Sequence, residues 1–480
     1  MTRTRSRAAD GDAAASRGEL ELVWPGKYDR DGARVRVPPR DVVSTRHESH
    51  GPRGAAHGQL VWGDNLDVLD AWMPAHRGRV DLVYIDPPFS TGAEFPVLTR
   101  ARDREGVEHV ISQPAYSDRW PGGAASYLAM LAPRLERIHA LLAPHGSLYV
   151  HVDPSLGHAV RLVLDEIFGA PAFQREIIWR IGWVSGFKTR ARNWIRNHDT
   201  ILFYAKDPAR MRFNKLWVPH PEGYSRRAGV PAKSPGMAVD DVWNAGAADL
   251  ALTGAASLDS IQIKSFSKEK SGYATQKNES LLRRIIAASS NPGDVVLDAF
   301  CGAGTTAVVA AAMGRRFLAC DVGAAAIQLT RSRLRRVDGI AWTLDQVREA
   351  GDVAQIVEVP VRRVAAGRWR IAARVEIELA IDARGRATVT IGDVRVEDSA
   401  LRQVVAAGVD PVVECGVDWS VDEQGLRAVP EPGQRVFVSP RAVKDGSRIG
   451  VLVVDLAFGR TRIDLEISRG RAWGITARAR

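Results

Sequence analysis

Cysteine is scarce in this chain, with three in 480 residues (Cys301, Cys320 and Cys415), and none has the paired spacing of a metal site or a disulfide framework. No metal is expected, and a reducing cytoplasm is the expected location. No apolar run approaches the length of a membrane span, so a helical membrane protein is excluded. No Walker phosphate loop occurs anywhere, so any translocating or restricting activity must reside on a separate chain. Acidic residues are outnumbered, 56 against 66 Lys and Arg, and the resulting net charge of +10 favours a polyanionic partner. The length predicts two or three domains.

Against these absences stands one conspicuous stretch, Val80-Asp81-Leu82-Val83-Tyr84-Ile85-Asp86-Pro87-Pro88-Phe89. An apolar, β-branched run ending in an acid, two prolines and an aromatic predicts a buried strand that delivers a rigid loop at its carboxyl end. Open α/β sheets place their chemistry there. Proline has no N–H, so the loop presents carbonyls without competing donors. The Asp86 carboxylate and the Pro87 carbonyl can together accept both protons of an exocyclic amino group, while Phe89 stacks on the attached ring. Such a site suits an amino group on an aromatic base. Standing alone, the tetrapeptide is also compatible with a proline-stiffened strand exit.

A second motif is Asp298-Ala299-Phe300-Cys301-Gly302-Ala303-Gly304-Thr305-Thr306, which follows the apolar run Val295–Leu297. It reads as a strand, a glycine turn and the start of a helix, where Gly302 and Gly304 let backbone N–H groups approach a ligand. The next strand ends in Asp321, placed to accept hydrogen bonds from ribose hydroxyls. Gly-x-Gly-x-x-Ala with an acid about twenty residues later also satisfies the dinucleotide fingerprint. A nicotinamide-dependent oxidoreductase is therefore a rival at this stage.

Asp-Pro-Pro-Phe at a strand end resembles the catalytic motif of S-adenosylmethionine-dependent amino-methyltransferases acting on nucleic acid, and Asp-x-Phe-x-Gly-x-Gly-Thr-Thr resembles the cofactor loop of the same family. The order of catalytic loop, basic segment and cofactor loop resembles the β-class of DNA amino-methyltransferases, and among them the modification subunits of Type III restriction systems. The resemblance covers roughly residues 60–337. It implies that Asp86, Pro87, Pro88 and Phe89 hold a flipped adenine. It also implies that Asp298, Phe300, Gly302, Gly304, Thr305 and Asp321 hold S-adenosylmethionine, with Asp298 meeting the methionyl ammonium. Thr275-Gln276-Lys277-Asn278 resembles the family's Thr-Gln-Lys-Pro segment, with Asn278 in place of proline. Thr275 and Lys277 are thereby candidates for the cofactor carboxylate. Asp64, between a strand and a helix, is a candidate for the cofactor adenine and equally a helix cap. Cysteine scarcity returns here, because methylation at cytosine C5 requires a Pro-Cys nucleophile and no cysteine follows a proline.

The implied function is N6-adenine methylation of double-stranded DNA in a restriction-modification or phage-defence setting. N4-cytosine methylation and a non-catalytic DNA-binding regulator are the alternatives. The resemblance also allows a homodimer and a separate restriction or translocase subunit as partners.

The implied architecture is a doubly wound, Rossmann-like α/β sheet with an inserted target-recognition region and a C-terminal all-β, sandwich-like domain. Residues 1–58 read as a basic N-terminal arm and irregular lead-in, with 1–17 expected to be disordered. Residues 59–179 read as the catalytic half of the core and 271–345 as its cofactor half. Between them, 180–270 is basic: residues 175–270 hold 16 Lys and Arg against 9 Asp and Glu. Arg180, Lys188, Arg190, Arg192 and Arg196 alternate with Trp179, Trp183, Phe187 and Trp194, a pattern suited to phosphate neutralisation and base stacking. Residues 90–123 read as a polar lid. His151 and Asp153 stand at a strand end, where a structural role and a role near the site are both open. Alternating stretches in 355–480, including one from Trp369 to Leu379, predict the β-domain.

Overall fold

The computed structural model describes residues 20–479, apart from 53–57, 182–191, 244–262, 264–268, 351–356, 395–411, 419–433 and several shorter stretches. The arm 1–17 and the positions Trp183, Phe187, Lys188 and Arg190 lie outside the described residues.

Among the described residues the central sheet has ten strands, with the hairpin of Glu94–Arg102 and Glu108–Ser117 a separate pair. A strand β1 (Val42–His50) precedes β2 (Gly58–Trp62), α1 (Asn65–His76) and β3 (Val80–Ile85). A hairpin of β4 (Glu94–Arg102) and β5 (Glu108–Ser117) leads to α2 (Gly123–Leu141), β6 (Leu142–Val152) and α3 (Pro154–Phe168). Then come β7 (Phe173–Arg180), β8 (His198–Ala205) and the two-residue β9 (Val242–Trp243). Helix α4 (Glu279–Ser289), β10 (Val295–Asp298), α5 (Thr305–Ala312), β11 (Arg316–Asp321), α6 (Ala324–Leu334) and β12 (Trp342–Glu349) complete the core.

The order across the sheet is β1-β12-β2-β11-β10-β3-β6-β8-β7-β9. From β12 to β6 the pairing is parallel throughout, with helical crossovers on both faces. Strands covered on both sides are apolar at nearly every position, and β3 is buried from end to end, with its one acid, Asp81, accepting from the Val295 N–H (2.8 Å). One core cluster packs α1, α2 and α3 against one face, and another packs α4, α5 and α6 against the other. Strands β10 and β3 are neighbours, with Val296 opposite Leu82 and Leu297 opposite Val83. The chain proceeds outward in opposite directions from this pair, so the crevice at their carboxyl ends is the switch point of the fold.

Four expectations change. The lead-in is not wholly irregular, because β1 pairs antiparallel with β12 and closes one edge of the sheet. Its polar, half-exposed residues hide the strand, which is recruited by the neighbouring edge and not by its own hydrophobicity. The lid 90–123 is largely the β4–β5 hairpin, anchored where the main chain of Leu98 bonds to Gly272 (3.4 Å). The stretch Trp369–Leu379 is two antiparallel strands, Arg368–Ala372 and Val375–Ile381. Trp369, Ile371, Val375, Ile377 and Leu379 all enter the core, so the period of two runs unbroken through the turn and conceals it. Trp342–Glu349 forms β12 although no strand is predicted there.

The described C-terminal residues build two five-stranded antiparallel sheets. Ile371, Ile377, Leu379 and Val389 of one share a core with Val451, Ile463, Leu465 and Ile467 of the other. That is sandwich packing of two alternating faces.

Candidate active site

A cleft of about 520 Å³ opens at the switch point, and both loops singled out in the sequence line it. Asp86 leaves β3 while Asp298 ends β10, so pairing of adjacent parallel strands is what brings residues 212 positions apart together. Pro87 and Pro88 follow through trans peptide bonds, and Phe89 faces the cleft half-buried.

One oxygen of Asp86, Oδ2, pairs with the Lys277 ammonium. The other, Oδ1, is buried and has no hydrogen-bond partner among the described residues. A buried acceptor costs free energy until a donor reaches it, so this oxygen is free to accept an N–H or O–H that enters the cleft. Lys277 also stands 5.1 Å from the Phe89 ring centroid. The resemblance places this lysine toward the cofactor carboxylate, whereas here its charge is drawn to the nearest buried carboxylate, on the catalytic loop. The Thr305 hydroxyl donates to the Lys277 carbonyl (3.0 Å) and so ties this segment to the glycine turn.

Asp298 is buried and accepts from the Thr306 hydroxyl (2.5 Å) and the Phe300 N–H (3.0 Å). Burial raises its carboxyl to about 7, with the charges of Asp86 and Asp321 adding to the shift. A carboxyl in this state is poised to gain a cationic neighbour. Asp321 accepts from the N–H of Gly302 (2.9 Å) and of Gly323 (2.8 Å), and burial raises it too. It therefore shapes the glycine turn as well as facing the cleft. Gly304 has φ +73°, and a Cβ there would lie 2.4 Å from the Thr330 side chain. Its need for glycine thus comes from helix packing, not only from ligand approach. Gly302, at φ +47°, passes under the Tyr273 ring.

Asp64 is the helix cap that one sequence alternative requires, and it also faces the cleft. It caps α1 by accepting from the Leu66 N–H (2.8 Å) and lines the cleft half-exposed, paired with Arg134 at 2.9 Å. Thr275 lines the cleft and receives the Tyr116 hydroxyl at 3.4 Å.

Several lining residues are missing from the sequence-derived set. Phe95 and Tyr116 of the hairpin stack on each other (5.0 Å), and Tyr116 lies 6.5 Å from Tyr273, forming an aromatic wall. Arg134 on α2 is another. Isolated aromatics in a polar stretch and an arginine in an amphipathic helix carry no motif that sequence could flag.

The basic segment divides. Arg180 and Arg192 are exposed. Arg196 is exposed too, but it pairs with Asp153 and with Asp199 (3.0 Å). Trp179 is buried against His151 and offers no stacking face, while Trp194 is 98% exposed. Asp153 caps α3 by accepting from the Ser155 N–H (2.9 Å). Among the described residues no helix is long and apolar enough to cross a membrane, and no cluster of metal-ligating side chains occurs.

Comparison with known proteins finds relatives among DNA methyltransferases. The Type II methyltransferase M.EcaI of Enterobacter cloacae is 26% identical over 63% of this chain and 75% of its own. The DNA adenine methyltransferase YhdJ of Escherichia coli K12 is 27% identical over 58% of this chain and 82% of its own. The EcoP15I Mod subunit of a Type III restriction-modification enzyme of Escherichia coli is 25% identical over 40% of this chain and 31% of its own. The crystal structure of an M1.HpyAVI–SAM complex aligns over 58% of this chain and 98% of its own at 17% identity, with a TM-score of 0.36. The profile of the DNA methylase family matches residues 80–332, more than half of the 480, and takes in both loops of the cleft. The chain belongs to that family of N6 and N4 amino-methyltransferases, and is an S-adenosylmethionine-dependent DNA methyltransferase.

Proposed function

We propose that the enzyme methylates N6 of an adenine turned out of double-stranded DNA, as the modification arm of a restriction system. The observation that carries this reading is the orphaned, buried Oδ1 of Asp86 beside Pro87 and Phe89. An amino group entering there donates one proton to Asp86 and one to the Pro87 carbonyl, and both bonds pull the nitrogen toward a nucleophilic, tetrahedral shape. Phe89 stacks on the base, where a purine gains more contact than a pyrimidine. Turning the base out of the helix is what gives the cleft access to it.

The residues present fit S-adenosylmethionine. Asp298, raised by burial, suits a methionyl ammonium; the Gly302–Gly304 turn at the start of α5 and Asp321 suit the nucleoside half. When bound, the cofactor supplies an electrophilic methyl on a sulfonium. Asp86, the Pro87 carbonyl and Phe89 then act by orienting the amino nitrogen, and holding the two partners together contributes much of the acceleration.

Adenine is favoured over cytosine by the acid at the head of the loop and by a relative named as an adenine methyltransferase. The Type III Mod relatives support a separate restriction subunit as partner. DNA from a methylation-free host expressing the chain should yield N6-methyladenine when digested to nucleosides and weighed by mass spectrometry. N4-methylcytosine as sole product would overturn the base assignment.

Arg180 and Arg192 are the proposed phosphate contacts. Reversing both to glutamate should weaken DNA binding and flatten its salt dependence by about two units in log–log slope, near one per lost phosphate contact. Titration by fluorescence anisotropy at several salt concentrations reads this, and an unchanged slope would place the DNA track elsewhere.

A further inference from the structure

His151 is the penultimate residue of β6, one strand away from the catalytic loop, yet it does not line the cleft. It is fully buried and held at both ring nitrogens, with the Tyr84 hydroxyl at 2.9 Å from Nδ1 and an Asp199 oxygen at 3.3 Å from Nε2. The Asp199 carboxylate only accepts, so Nε2 carries a proton. Burial raises the Tyr84 hydroxyl well above its ordinary range, so it keeps its proton, and with the ring neutral and protonated at Nε2 it is the donor to Nδ1. The ring centroid lies 5.7 Å from that of Phe89, tilted by 32°, and the Trp179 ring meets it edge-on at 5.3 Å. Asp199 is fixed in turn by Arg196, which also holds Asp153 at the cap of α3.

A buried histidine is most often a satisfied core residue. This one differs because its two bonds lock the plane of a ring that backs Phe89, and because Tyr84 stands two residues before Asp86 on β3. An apolar side chain of the same size fills the space but leaves χ2 free and the Tyr84 hydroxyl unpaired. We infer that His151 is a positioning residue for methyl transfer: bonded to Tyr84 and Asp199, it holds the Phe89 ring at the angle a flipped base requires. This rests on the adenine-binding role proposed for Asp86-Pro87-Pro88-Phe89.

The test compares His151→Phe, which keeps bulk and loses both hydrogen bonds, with Tyr84→Phe, which loses the 2.9 Å bond alone. Each is assayed for S-adenosylmethionine binding by calorimetry and for single-turnover N6-adenine methylation of DNA carrying the site that the wild type methylates. Both variants should bind cofactor within about threefold of wild type, about 0.65 kcal/mol. Methylation should fall roughly tenfold for Tyr84→Phe and roughly a hundredfold for His151→Phe, with the double variant no worse than His151→Phe. With 2-aminopurine at the target position, the fluorescence of the bound duplex should differ from that with wild type. A wild-type methylation rate in either variant, or cofactor affinity lost in step with rate, would overturn the inference. Should His151→Phe not fold, Tyr84→Phe decides alone. A wild-type enzyme that makes no N6-methyladenine would instead sink the underlying assignment.

Discussion

Asp86→Ala should lose at least a hundredfold in methyl transfer, about 2.7 kcal/mol of barrier, while S-adenosylmethionine binding stays within a few-fold. The expected loss is this large because Asp86 Oδ1 is a buried acceptor in the cleft that no described protein donor satisfies, and because the proposed mechanism sets it against the reacting nitrogen itself. Cofactor binding is spared because its proposed determinants, Asp298, Gly302 and Asp321, lie on β10, in the turn that leads into α5 and at the end of β11. Lys277 loses its partner in the variant, so a melting curve must accompany the assay. Single-turnover rates under saturating DNA decide the matter. A residual rate above roughly a hundredth of wild type would remove Asp86 from the chemistry.

Cofactor affinity should rise steeply with pH and then level off near pH 7.5. Asp298 is raised from 3.8 to about 7 by burial, so near pH 5.5 most molecules carry it protonated and unable to meet an ammonium. The ionised fraction grows about twenty-fivefold between pH 5.5 and 7.5 for a group titrating near 7, and the binding constant should follow it. Binding at pH 6 should therefore release close to one proton, seen by calorimetry in buffers of different ionisation enthalpy. Asp298→Asn should bind weakly at pH 7.5 and show no such rise; an unchanged pH profile would sink the role. Stability carries the opposite sign. The folded protein holds a proton here that the unfolded chain releases above its pKa of 3.8, so this group's contribution to stability declines as pH rises from about 4 to 7. A bound cation at Asp298 should cancel that decline.

Local sequence determined the elements whose signal is carried by their own residues. The strand Val80–Ile85 is apolar at nearly every position because both of its faces are covered, and two prolines stop it, so strand, loop and candidate catalytic acid were all legible. The second loop was legible because a helix start in a tight turn restricts residue types to glycine and small hydroxyls, and α4, α5 and the strands around them followed from periodicity. Tertiary structure alone decided what depends on a partner distant in the chain. Strand β1 exists because β12 offers it an edge, the aromatic wall of Phe95, Tyr116 and Tyr273 exists because a hairpin meets the segment before α4, and Lys277 faces Asp86 because that carboxylate is nearest in space. Arg196 reads as one more basic residue in a charged segment until the fold sets two carboxylates beside it. Hydrophobic period and turn chemistry act within a few residues and are written into the sequence there. Charge pairing, ring stacking and edge pairing act across space, and their partners are fixed only once parallel strands bring the two halves of the core together.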